Sequence, residues 1–226
     1  VGSEEKKFLM DGPVITNVIY HEDSNLYEIV YQAVEGAESY EIQIGTSLET
    51  STKNTCFIDV KEGAPQSVSV RGLCASNESV PSEYAFDFSF GGGTGTEQDP
   101  YLIGGARHFK NIADKTGASY KLTKDIDLTN CGYTPLSGFA GILDGNGHTI
   151  KLAVTGLANA ALFQTAAGAA FQNLTVDGAV SGTTNAAGFV GNATSSLTFE
   201  NCVNKAKVSG APTVGGFVAD AHTGFT

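Results

Sequence analysis

The titratable residues that could do chemistry are few and scattered. Past residue 91 the acids are Glu97, Asp99, Asp114, Asp125, Asp127, Asp144, Asp177, Glu200 and Asp220. Only Asp125 and Asp127 are close, and at i, i+2 on a strand they share one face. With Asp144 from a following turn they would make a weak calcium site or acid pair. The competing reading is structural, because Asp144-Gly145-Asn146-Gly147 is a turn sequence first. His148 follows that turn directly, where a hydrogen bond to the turn outweighs proton transfer. His21, His108 and His222 stand alone, with no triad or metal spacing. The glycines at 91–95 lack a following Lys-Ser/Thr and are not a phosphate loop. We therefore assign no catalytic, cofactor-binding or metal residue, and expect no cofactor.

Four cysteines allow three pairings, and no CxxC or Cys/His cluster suggests a metal. Cys56 and Cys74 are each nine residues from Pro65. If their strands run antiparallel around that turn, the two meet near one end. A disulfide there and two unpaired core thiols are both open. Cys131 and Cys202 show no such relation.

The elements that would position these groups divide in two. Residues 1–90 hold 15 acids, 5 bases and 6 of the 28 glycines, whereas 91–226 hold 9 acids, 8 bases and 22 glycines. The net charge of −11 argues against nucleic acid or an anionic membrane as partner. No apolar run is long enough to insert in a membrane. Val1-Gly2-Ser3 reads as a tag scar or a mature-chain start, so 1–12 is assigned to a tag or disordered lead. From Pro13 short strands alternate, with Tyr40, Ile42 and Ile44 on one face and Glu41 and Gln43 on the other. Six or seven such strands without a helix imply a two-sheet sandwich over 13–90. Residues 91–98 read as a Gly-rich linker. Residues 105–116 form the one helix candidate, with Phe109, Ile112 and Ala113 on its apolar face and Gly117 as terminator.

The rest repeats. Asn173 and Asn201, Val180 and Val208, and Gly182 and Gly210 are each 28 apart, while Phe163, Phe189 and Phe217 fall 26 and 28 apart. Such a period in short β runs between glycines marks a solenoid. Its expected inward residues are Phe163, Leu174, Val176, Val180, Phe189, Val190, Phe199, Val203 and Val208. Asn173 and Asn201 are expected to stack as an amide ladder. The helix would cap the first coil. The polar residues Asn159, Thr183-Thr184-Asn185, Asn192 to Ser196 and Thr213 are expected as loops aligned in a ridge. The last copy stops in mid-repeat, which reads as a fragment whose open coil would pair end to end with another molecule.

Two resemblances sharpen this. The segment NLYEIVYQAVEGAESYEIQI, with SVSVRGLCASNESVPSEY later, resembles a fibronectin type III domain in which Tyr31 replaces the usual Trp. No Arg-Gly-Asp supports integrin binding. Residues 99–103, Asp125-Ile126-Asp127-Leu128, 139–150 and the later GGFV and NC blocks resemble bacterial surface proteins with GLUG-type repeats. Their fold is a right-handed, pectate-lyase-like parallel β-helix, placed here over 99–226. The resemblance implies an all-β chain, exported to the bacterial cell surface. It implies an adhesin or ligand-binding protein without catalysis, its ligand a host glycoprotein, an immunoglobulin or a glycan. A polysaccharide lyase or glycoside hydrolase on the β-helix is the first alternative and a structural stalk the second.

Overall fold

The computed structural model describes residues 11–75, 77–210 and 212–221. Most of the assigned lead, His222 and the end of the unfinished repeat lie outside them. The chain is nearly all β, 51% strand against 4% helix, and divides into two compact units between Ser89 and Phe90.

Among the described residues the first unit has eight strands: β1 (Ile15–His21), β2 (Leu26–Tyr31), β3 (Ser39–Ile44), β4 (Ser47–Ser51), β5 (Thr55–Ile58), β6 (Ser67–Cys74), β7 (Asn77–Glu78) and β8 (Ser82–Ala85). They form two antiparallel sheets, β1-β2-β5 and β4-β3-β6-β7, with β8 also on β6. Period-two alternation explains the layering. Tyr27, Ile29 and Tyr31 from one sheet meet Tyr40, Ile42, Ile44, Val68 and Val70 from the other in a single core. Tyr31 and Tyr40 pack with ring centroids 4.8 Å apart.

The Cys56–Cys74 disulfide is not formed, and both are free thiols. Cys56 lies on β5 and Cys74 ends β6, and these strands belong to different sheets. The antiparallel pairing that would have joined them does not exist. Burial pushes the Cys56 thiol up to about 11. Cys131 and Cys202 are free as well.

The second unit is a parallel β-solenoid of about four turns. It begins with β9 (Tyr101–Ile103), α1 (Ala106–Asn111) and a 3-10 turn at Ile112–Asp114. Then come β10 (Ser119–Leu122), β11 (Ile126–Asp127), β12 (Ile142–Asp144), β13 (Thr149–Ala160), β14 (Phe163–Ala166), β15 (Ala170–Gln172), β16 (Thr175–Ala187), β17 (Val190–Ala193), β18 (Thr198–Glu200), β19 (Val203–Asn204), β20 (Lys207–Ser209), β21 (Thr213–Gly215) and β22 (Val218–Ala221). Three parallel sheets make its sides: β9-β10-β12-β15-β18, then β11-β13-β16 with β19, β20 and β21 all on β16, then β14-β17-β22.

Register turns the repeat into columns. Tyr120, Leu143, Phe171 and Phe199 are successive partners, as are Ile126, Ile150 and Val176. Phe171 stacks on Phe199 at 5.1 Å and 15°, and Phe189 on Phe217 at 5.0 Å and 16°. Each fully buried ring or branched chain contributes about 1.5–3 kcal/mol. Of the expected inward residues, Phe163, Leu174, Val176, Val180, Phe189 and Val190 are buried, and Phe199 and Val208 pack against the same core. Val203 does not. It pairs with Thr175 and is 45% exposed, while Asn204 takes the column below Val176.

Two further expectations change. The helix keeps Phe109 and Ile112 in the core at the first coil. It tightens to 3-10 at Ile112, however, and three residues per turn carry Ala113 out to solvent. The stretch 91–98 is no free linker. Gly91 N donates to Leu102 O at 2.9 Å, Leu102 N to Gly92 O at 3.0 Å, and Phe90 stacks on Tyr101 at 4.4 Å. Gly93 has φ +82°, and a Cβ there would meet Pro100 O at 2.0 Å, so only glycine permits this approach.

His108 on α1 is buried. Its Nδ1 accepts from Gly104 N at 3.1 Å, and Arg107 Nη2 lies 2.8 Å from Nε2. Burial, with Arg107 and Lys124 nearby, lowers its pKa to about 3. The unfolded chain therefore takes up a proton below the ordinary value of 6.5 that the folded chain refuses. This contribution to stability is complete above pH 6.5 and fades as pH falls towards 3. Denaturation series should show that slope in the native chain and its loss in His108→Gln. In the same assay, Phe171→Ala should cost about 3–5 kcal/mol. Val203→Ala should stay within about 0.5 kcal/mol, which tests the register directly.

Candidate functional site

The residues singled out as a weak acid or calcium cluster are each engaged locally. Asp125 Oδ1 accepts from Thr149 N at 2.9 Å and lies 3.4 Å from His148 Nδ1. Asp127 Oδ1 accepts from Thr129 N at 2.8 Å and Thr129 Oγ1 at 2.6 Å, which holds its carboxyl below the usual range. Asp144 Oδ1 accepts from Asn146 N at 2.8 Å and Asn173 Nδ2 at 3.0 Å. His148 donates its backbone N–H to Gly145 O at 2.8 Å, closing the turn. Among the described residues no three His, Cys, Asp or Glu side chains are grouped to hold a metal ion.

What Asp144 begins continues up the stack. Asn201 Nδ2 donates to Asn173 Oδ1 at 3.1 Å, so one row of hydrogen bonds joins Asp144, Asn173 and Asn201. Asn173 and Asn201 both have φ +49°, the left-handed corner that Asn tolerates better than other non-glycine residues. A second rung joins Asn185 Nδ2 to Asn159 Oδ1 at 2.8 Å. That pair was expected in loops. Asn159, Thr183, Thr184 and Asn185 instead lie within β13 and β16, and Asn159, Asn185 and Thr213 are register partners. The polar ridge is therefore largely a strand surface, and only 194–196 form an exposed connection.

A concavity lies on the outer face of the β9-β10-β12-β15-β18 sheet. Since Tyr120, Leu143 and Phe171 point inward, their neighbours point out. Lys121, Asp144, Gln172 and Glu200 make one outward row, and Ser119, Ile142, Ala170 and Thr198 another. The turn at 94–99 folds against this face. Gly95 O accepts from Ser119 N at 2.9 Å, and Thr94 N and Gly95 N donate to Asp99 O. Gly95 presses on the Tyr101 ring, which a Cβ would approach to 2.2 Å. The result is a groove of about 340 Å³ lined by Glu97, Pro100, Ser119, Tyr120, Ile142, Asp144 and Gln172.

Glu97, Asp144 and Glu200 were legible as acids of this unit. Ser119, Lys121 and Gln172 were missed. The signal that would have found them is the strand register, which places residues 121, 144, 172 and 200 in one row although their first spacing is shorter than the repeat.

No family profile matches the chain. A stretch of 73 residues is 38% identical to a provisionally named Gly-rich membrane protein of Evansella cellulosilytica, covering 27% of this chain and 8% of that protein. The chain thus spans a small part of that relative's length. A solved structure from Bacteroides ovatus, provisionally named an immunoglobulin A1 protease, aligns over 59% of this chain and 56% of its own, with 19% identity and a TM-score of 0.46. It bears an enzyme's name, which overturns the expectation that the chain is not an enzyme. That expectation is withdrawn, although so distant a likeness transfers no catalytic residue.

The row through Asn173 has a measurable role. Asn173→Gly keeps the left-handed corner and loses only the side-chain bonds, at about 0.5–1.5 kcal/mol each. Asn173→Ala should lose those and add about 1–2 kcal/mol of backbone strain. Thermal melting of both variants should rank native above Gly above Ala.

Proposed function

We propose that this chain is the ligand-binding and display part of an exported bacterial surface protein. In this reading the first unit is a fibronectin type III-like spacer and the second a GLUG-type β-helix that carries the ligand. The sheet orders β1-β2-β5 and β4-β3-β6-β8 support the spacer, with Tyr31 buried in the place of the usual Trp. The GGFV and related blocks support the β-helix, because each supplies the start of a strand in the β14-β17-β22 sheet. Kinship with a protein named for its glycine and its membrane supports surface display.

The observation that carries the binding role is the groove on the outer sheet. The engaged carboxylates Asp125 and Asp127 hold turns together, whereas Glu97, Ser119 and Gln172 make no side-chain hydrogen bond among the described residues. A rigid parallel sheet that leaves such groups free presents a pre-formed polar surface, and little ordering is needed to bind there. A host glycoprotein, an immunoglobulin or a glycan would each supply suitable partners.

Interferometry on the immobilised chain, with mucin, immunoglobulin A and soluble polysaccharides offered in turn, tests this. Saturable binding to at least one is expected, and Gln172→Trp, which fills the groove, should abolish it. Failure of all of them to bind, or binding indifferent to that substitution, would remove the groove from the account.

A further inference from the structure

The last described coil continues the apolar columns of the stack and leaves them uncovered. Phe199 is in register with Phe171, Val208 with Val180, Val214 with Ala186, Val218 with Val190, and Ala221 with Ala193. The five earlier residues are buried, whereas Val214 is 51% exposed, Ala221 is exposed and the other three are half-buried. The exposed large apolar side chains among the described residues of the second unit are Val203 and Val214, both in this coil. An apolar cavity of about 260 Å³ lies against it, bounded by Leu197, Phe199, Val218 and Ala221. The strands β18, β19, β20, β21 and β22 each have a neighbour on one side only among the described residues. Apolar cover and backbone partners are thus wanted at the same place, and strand edges supply both.

The opposite end of the stack is closed to such contact. There α1 and the 3-10 turn lay Phe109 and Ile112 into the core at the first coil. The outer edge of β9 is occupied as well, since Gly91 N donates to Leu102 O and Leu102 N to Gly92 O. An open coil therefore finds no open first coil on a second molecule, and only like ends can meet. A two-fold axis across the open end brings them together and closes the contact. It also sets the strands of the two copies antiparallel, a pairing in which the inter-strand bonds run straight across. Charge fits the same arrangement. Residues 198–221 hold Glu200 and Asp220 against Lys205 and Lys207, whereas the net −11 of the chain is carried almost wholly by residues 1–90. Two such ends carry no net charge to drive them apart, and each offers both signs to the other.

We propose that two copies of this chain pair end to end through the last described coil, as a closed two-fold dimer in which the edges of β18 to β22 meet those of the second copy. Sedimentation velocity on the whole chain, over a wide range of concentration, should show monomer giving way to dimer and nothing larger. Val214→Lys and Ala221→Glu place a charge in the contact at positions already exposed in the single chain. Each should move the transition at least about tenfold to higher concentration, with circular dichroism unchanged. Val80→Lys, on an exposed valine of the first unit, should leave it where it is. Hydrogen exchange on the native chain reads the same contact without a substitution. Amides of β18, β20 and β22 should gain protection as concentration rises, and those of β9 should not. A chain that stays monomeric throughout, or assemblies that grow past the dimer, would overturn the proposal. So would a dimer indifferent to both variants, or one that protects other strands than these.

Discussion

The constraint on which the second unit depends is that every coil must satisfy the backbone of the next. A parallel sheet of three-residue strands has little to hold it except this ladder and the columns beneath it. The chain therefore places like residues above like. Tyr120, Leu143, Phe171 and Phe199 fill one inward column because a small or polar side chain there would open a gap on both sides. The corners obey the same rule, with Asn173 and Asn201 left-handed at the same step of successive coils. Outward residues escape it, and the groove is built from them.

Much of this was legible because columns leave a period in the sequence. The sandwich was readable from the alternation of Tyr40, Ile42 and Ile44, and the solenoid from the 28-residue spacing. What was not legible depends on register. Val203 looks like the natural successor of Val176, since both follow an Asn by two or three residues. The 28-residue offset in fact pairs Thr175 with Val203 and Val176 with Asn204, so Asn204 faces inward, where its Oδ1 accepts from Ala206 N at 3.0 Å. The expectation followed the apolar type of Val203 instead of that offset, and a one-residue difference inverts a strand's faces. The cysteine pair failed for a related reason, because symmetry about Pro65 says nothing about which sheet each strand joins.

The candidate site was legible only in pieces. Its acids could be named, but the first spacing in the row, from Lys121 to Asp144, is shorter than the later ones because that coil has the short β11 where the next has the long β13. Ser119 gives no signal as a letter. It lines the groove through its place in the strand register, a property of the folded chain. Gly93 and Gly95, by contrast, look like flexible punctuation and are steric requirements that hold the turn against the first coil.

The row from Asp144 through Asn173 to Asn201 also has a direction. Each amide gives its N–H to the coil before it, and the first acceptor is a carboxylate. Such a series is polarised along its length, each bond strengthening the next. The negative group marks its origin, and an acceptor on Asn201 stands ready at its far end. The stack thus carries an arrow: a new coil meets a chemically different surface depending on which end it approaches. A repeat that looks symmetrical in sequence is directional in its hydrogen bonding.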